Sequence, residues 1–280
     1  MISRLLLVAF LTLSAALAAD PARAAYKSPY KVAFTFRDEE LIGDLLKGPR
    51  ADWKNESSVP FREWYAESGK TRWRSWGPPA QQFAAPPGLA TKGVEWARQR
   101  VIAAGLRFAG HSYQHHHIPD WEPPADWPRS EKLTTPPGKG LDCSNFTAFA
   151  YNLALGIKPT GDVQDQSAMT ETPGPGPNRT TPVQRIELPA RYEDFERTLR
   201  TGDLLFVKSN AGNISHVVLW VGKIGRSRDG TPLILDSTGT GSKDSEGQEI
   251  PDGVNLRPFK PGAWYAKSAS HILRILPDGK

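Results

Sequence analysis

The stretch "GLDCSNFTAFAYN", residues 140–152, carries the only cysteine among 280 residues. Cys143, Phe146, Ala150 and Leu153 stand at i, i+3, i+7 and i+10. That spacing lines one face of an α-helix, and Gly156 supplies a residue for its end. Asp142 stands just ahead of the pattern, where a short acceptor side chain caps first-turn N–H groups. Cys143 is therefore expected at a helix N-terminus, whose unpaired N–H groups and dipole favour a thiolate. A cysteine so placed reads as a nucleophile or, more plainly, as a small buried apolar residue.

Outward from this helix the chain changes period. Upstream, "KGVEWARQRVIAAG" puts Val94, Ala97, Val101 and Ala104 on one face and predicts an amphipathic helix closed by Gly105. Residues 118–139 are too rich in proline for a helix or a central strand. Beyond Thr201 come "GDLLFV", "SHVVLWVGKI", "PLILDST", "GVNLRPF" and "HILRIL", short runs of Val, Ile and Leu separated by turn residues. Helices first and strands afterwards predict an α+β fold, its N-terminal helices packed on a five- to six-stranded, mainly antiparallel sheet.

The first residues, "MISRLLLVAFLTLSAALAADPARAA", join an early arginine, an apolar run and small residues at A-x-A sites. Residues 1–24 read as a secretory signal, and the run is shorter than the roughly 20 apolar residues that span a bilayer. Export to the periplasm or beyond is expected, without stable membrane insertion once the signal is cut. A lone thiol in an oxidising compartment closes no internal disulfide and calls for a chemical reason. Residues 25–90 form an N-terminal arm ending in the Pro/Gly-rich linker "GPPAQQFAAPPGL", and residues 91–280 the main domain. A formal charge of +5 suits an anionic polymer such as a cell wall. Without a helix-in-groove or aromatic RNA-binding signature, nucleic acid is not an expected partner.

A nucleophilic cysteine needs a base, normally histidine, and a third polar group to orient it. Four of the six histidines lie in "HSYQHHH" (His111, His115, His116, His117) and His271 opens the last strand. His216 opens "HVVLWVG" after a turn, and Asp236 ends "LILDSTG". If those two strands are neighbours, Asp236 reaches the His216 ring; "DSTG" is also good turn chemistry. His115 and His117 share a face in an extended segment, but no Cys or HExxH partner accompanies them. They are expected to form a polar rim, with no metal and no cofactor.

Taken in order, "LDCSNFTAFAYNLALGIKP", "DVQDQS" and "LRTGDLLFVKSNAGNISHVVLWVG" resemble the signature of the NlpC family of papain-like cell-wall cysteine peptidases. The resemblance runs over about residues 92–275. It implies a papain-like fold with Cys143 as nucleophile and His216 as base. Asp236 falls at the third position, where the family commonly has histidine. Tyr113, in "HSYQHHHIPDW", is the counterpart of a family tyrosine upstream of the cysteine, without the Trp-Gly that usually follows. In some members that tyrosine and the Asp and Ser beside the cysteine hold the substrate's free amine, which carries over to Tyr113, Asp142 and Ser144. The implied reaction is hydrolysis of peptidoglycan stem peptides, most often between D-glutamate and the diamino acid. A thiol hydrolase for another amide or ester, and a wall-binding protein with weak or lost activity, remain open beside it.

Overall fold

Helix α1 (Val94–Leu106) and helix α2 (Cys143–Leu155) pack together on one face of a sheet. The computed structural model describes residues 26–46, 80–111, 113 and 141–278; the signal segment and His115, His116 and His117 lie outside them. α2 begins and ends as its sequence predicts. Asp142 accepts from the Asn145 N–H at 2.8 Å, and Gly156 closes the helix at φ 70°. A side chain at Gly156 would also meet the Phe83 carbonyl oxygen at 2.5 Å. α1 departs from expectation by running through Gly105 to a cap at Arg107. The reason is packing. A Cβ at Gly105 would lie 3.1 Å from Leu235 and 3.2 Å from the Phe146 ring, so this glycine lets helix, helix and sheet approach closely.

After α3 (Val163–Ser167) come β1 (Gln184–Ile186), β2 (Leu204–Lys208), β3 (Ile214–Trp220), β4 (Leu233–Thr238) and β5 (Gly253–Pro258). The short helix α4 (Trp264–Lys267) and strand β6 (Ala269–Arg274) complete the unit. The six strands run in the order β5-β4-β3-β2-β6-β1, every neighbouring pair antiparallel. All five runs read from the sequence are strands of this sheet. Edge strand β1 escaped that reading because its three residues, Gln184 to Ile186, hold a single apolar side chain. The result is the papain-like α+β architecture expected.

Alternation along β3 and β4 divides the core. Val217, Leu219 and Leu235 face Phe146, Phe149 and Leu153 of α2, whereas Val218, Trp220 and Ile234 face Phe195, Phe259 and Tyr265. The β3–β4 ladder consists of the pairs Leu219↔Leu235 and Trp220↔Ile234. The strand ends carrying His216 and Asp236 thus continue without pairing to each other, which leaves their side chains to bridge the gap. The N-terminus of α2 arrives beside them, tied by the Ser237 hydroxyl donating to the Leu141 carbonyl at 2.5 Å.

Residues 26–46 pack directly on this unit. Leu41 and Leu45 join the helix-side core, and the Trp96 indole donates to the Glu40 carbonyl at 3.1 Å. This covering segment explains why α1 buries Gln99, which meets Thr35, and Arg100, which meets Asp44; Arg98 is buried instead against Leu276 and Asp278 near the C-terminus. Among the described residues no helix is long and apolar enough to cross a membrane.

Candidate active site

Cys143 is the first residue of α2 and is buried. Its N–H has no helical carbonyl four residues back to donate to. The cap beneath it is thorough: Asp142 accepts from the Asn145 backbone and from Asn145 Nδ2, both at 2.8 Å. The Ser144 hydroxyl donates to the Gly161 carbonyl at 2.6 Å. Gln166, fully buried on α3, donates to the carbonyls of Thr160 and Ser144 and accepts from Thr147. The cysteine therefore sits on a backbone held from several sides.

His216 projects from β3, where the charge on Cys143 acts on its ring. Its Nε2 lies 2.8 Å from Asp236 Oδ2, so Nδ1 is the nitrogen left for the sulfur. Burial alone would lower the imidazole's affinity for its proton. The negative charge on Cys143 and the Asp236 carboxylate outweigh that effect and push the His216 pKa up to about 10. Asp236 is wholly buried on β4. Burial would raise its pKa, but the Arg257 guanidinium, then His216 and Tyr265, hold the carboxyl below its ordinary value.

Arg257 and Tyr265 escaped the sequence reading. Arg257 Nε donates to Asp236 Oδ1 at 2.9 Å, and the Tyr265 hydroxyl donates to Oδ2 at 2.7 Å. Burial and the neighbouring carboxylate drive the Tyr265 pKa well up, so the phenol keeps the proton it donates. The one available signal was an arginine inside the strand run "GVNLRPF", a cation that a buried strand holds only with a partner. Trp264 was missed too. It is partly exposed, its ring centroid 5.4 Å from that of His216 and its indole N–H on the Lys208 carbonyl at 3.1 Å.

The structure brings together all six residues picked from the sequence. Tyr113 packs its ring on Gly239, where a Cβ would come within 3.2 Å of it. Burial, and then the charges of Cys143 and Asp142, raise its phenol's pKa. Ser144 is adjacent but buried, with its proton already given to Gly161.

A helix-terminal thiol thus stands within electrostatic reach of an imidazole that is itself backed by a carboxylate. Residues 129–244 match the model of the NlpC/P60 family, which bears out the resemblance read from the sequence. The match spans Asp142, Cys143, Ser144, His216 and Asp236 but stops short of Tyr113. Among solved structures, an NlpC/P60 family protein from Bacillus cereus ATCC 10987 aligns with 71% of this chain at 19% identity and a TM-score of 0.38. This chain spans 44% of that protein. The NlpC/P60 domain of the peptidoglycan hydrolase SagA aligns with 63% of this chain and 97% of its own length, at 16% identity and a TM-score of 0.34. No curated protein matches the sequence.

Proposed function

We propose that this protein is an exported cysteine peptidase that hydrolyses amide bonds in peptidoglycan stem peptides, its preferred bond joining D-glutamate to the diamino acid. The observation that supports the chemistry is one arrangement: Cys143 at a helix N-terminus, its charge acting on the His216 ring, and Asp236 2.8 Å behind that ring. The substrate class rests on the family segment.

In this reading the Cys143 thiolate attacks the amide carbonyl carbon, and the Cys143 backbone N–H donates to the oxyanion. The His216 imidazolium gives its Nδ1 proton to the departing amine, so the C–N bond breaks without expelling an amide anion. Neutral His216 then takes a proton from water, whose oxygen attacks the thioester carbonyl; the C–S bond breaks and the thiolate–imidazolium pair is restored. Asp236 keeps its charge throughout, orienting the ring and stabilising its cationic form. Tyr113 and Asp142 offer a hydroxyl and a carboxylate for the substrate's free amine.

The test is digestion of purified peptidoglycan by the full chain, with the released fragments identified by mass. The expected products end at the D-glutamate carboxyl, and Cys143→Ala releases none. Sedimentation of the protein with intact peptidoglycan and no fragment at any loading would replace this reading with a wall-binding role.

A further inference from the structure

The side chain behind the triad is a cation with nowhere else to go. Arg257 and Asp236 are both fully buried, joined by Nε–Oδ1 at 2.9 Å. The rest of the guanidinium is pinned: Nη1 to the Ser242 hydroxyl at 2.9 Å, Nη2 to the carbonyls of Pro251 at 2.6 Å and Gly253 at 3.2 Å. Asp236 Oδ2, the oxygen left over, takes both His216 Nε2 and the Tyr265 hydroxyl. One carboxylate oxygen is thus given to a fixed cation and the other to the imidazole.

We propose that Arg257 is a positioning residue of the hydrolase: it holds the Asp236 carboxylate ionised and turned so that Oδ2 meets His216. This rests on the thiol–imidazole reading of the site. A carboxylate with no exposed surface loses hydration worth several kcal/mol and would take up a proton unless a cation compensates it. The groups facing Asp236 are His216 from β3, Arg257 from β5 and Tyr265 from α4, with Cys143 on the far side of the imidazole. Of these only Arg257 is cationic at every working pH, since Tyr265 is neutral and the charge on His216 varies through the reaction. A neutral Asp236 would keep a hydroxyl but lose the charge that stabilises the imidazolium. Arg257 therefore governs the acid side of activity without touching substrate.

The experiment follows alkylation of Cys143 by iodoacetamide against pH, beside kcat and KM on stem peptide. Alkylation reports the thiolate–imidazolium pair whatever the substrate proves to be. Arg257→Gln is expected to move the acid limb of both profiles up by about 1–3 pH units, the range for a carboxylate losing an adjacent arginine. Arg257→Lys keeps the charge but not the fork, so its acid limb stays while kcat falls about tenfold or more at unchanged KM, the pattern of a lost transition-state interaction. If Arg257→Gln does not fold, Arg257→Lys decides alone: wild-type kcat in it overturns the proposal. In a folded Arg257→Gln variant, an unmoved acid limb overturns it too and leaves Arg257 a purely structural ion pair. A wild-type alkylation profile that merely follows a free thiol would remove the thiol–imidazole reading itself, a result separable from either.

Discussion

Asp236 accepts from three donors at once, and that number decides what an amide in its place would do. From sequence alone, Asp236→Asn is expected to keep part of the activity, because an amide oxygen still accepts from an imidazole. In the structure His216, Tyr265 and Arg257 all donate to the carboxylate, two to Oδ2 and one to Oδ1. An amide must turn its NH2 toward one side and set donor against donor there. Asp236→Asn should therefore lose activity about a hundredfold or more, and Asp236→Leu, which offers no acceptor, more still. Cys143→Ala and His216→Ala should each fall to background, and combining them should add nothing, as for residues acting as one unit. Activity in Asp236→Leu equal to wild type, with the fold intact by circular dichroism, would take Asp236 out of the site. The imidazole gives a second prediction. A pKa pushed up to about 10 means that protonated His216 adds stability below its unfolded value of about 6.5, and that this stability drains away as pH rises toward 10. The alkaline limb of activity should fall in the same window. Because the charge on Cys143 is the leading contribution that raises it, the ring's titration by NMR should move down in Cys143→Ala. No movement would mean that the two side chains are not electrostatically paired.

At the level of elements, helix α2 was legible because each of its signals is local. The apolar spacing, the Asp142 cap and the Gly156 terminator all lie within sixteen residues of chain and need no tertiary partner. Strands β2 to β6 were legible for the same reason. What stayed hidden depends on packing between distant segments. Gly105 reads as a terminator, yet it is interior because Leu235 and Phe146 press on it. Arg257 and Tyr265 read as ordinary strand and helix residues until β5 and α4 are folded against β4. The resemblance assigns Ser144 to the substrate's amine, and only the loop held by Gln166 reveals the Gly161 carbonyl that its hydroxyl meets. The local signals are testable. Asp142→Ala removes the α2 cap and should cost about 1 kcal/mol of stability in denaturant titration. Its cost in kcat should be larger than that destabilisation accounts for, since Cys143 stands on the same turn. Gly156→Ala forces a left-handed backbone on alanine at about 1–2 kcal/mol, and the approach to Phe83 adds to it. A stability loss within experimental error would mean that the chain leaves α2 by another route.

At the level of the whole molecule, residues 26–46 are bound into the same core as the site. Arg100 carries the join: its guanidinium reaches both oxygens of Asp44, at 2.7 and 2.8 Å, and the carbonyls of Leu41 and, at 2.6 Å, Ala154. One buried cation on α1 thereby ties the N-terminal segment to the last turn of α2. Farther along, Lys31 and Val32 pair with Arg226 and Gly225, and the Tyr30 hydroxyl accepts from the Ser245 N–H at 2.8 Å. These attachments lie at three separate places on the main unit, so the segment should not peel away by itself. Leu41, with no exposed surface and packed in the helix-side core, is the residue that tests this. Leu41→Ala should cost about 2–5 kcal/mol, the range for a fully buried leucine. If segment and domain form one cooperative unit, urea unfolding of the variant remains a single transition at a lower midpoint, with the same slope. Tryptophan fluorescence, far-UV circular dichroism and residual activity should then lose their signals together. A segment that merely lies on the surface would behave otherwise: the variant would keep the wild-type midpoint for activity, or show an early step in which fluorescence changes while activity survives. Either result would detach residues 26–46 from the folding unit that holds Cys143, His216 and Asp236 in place.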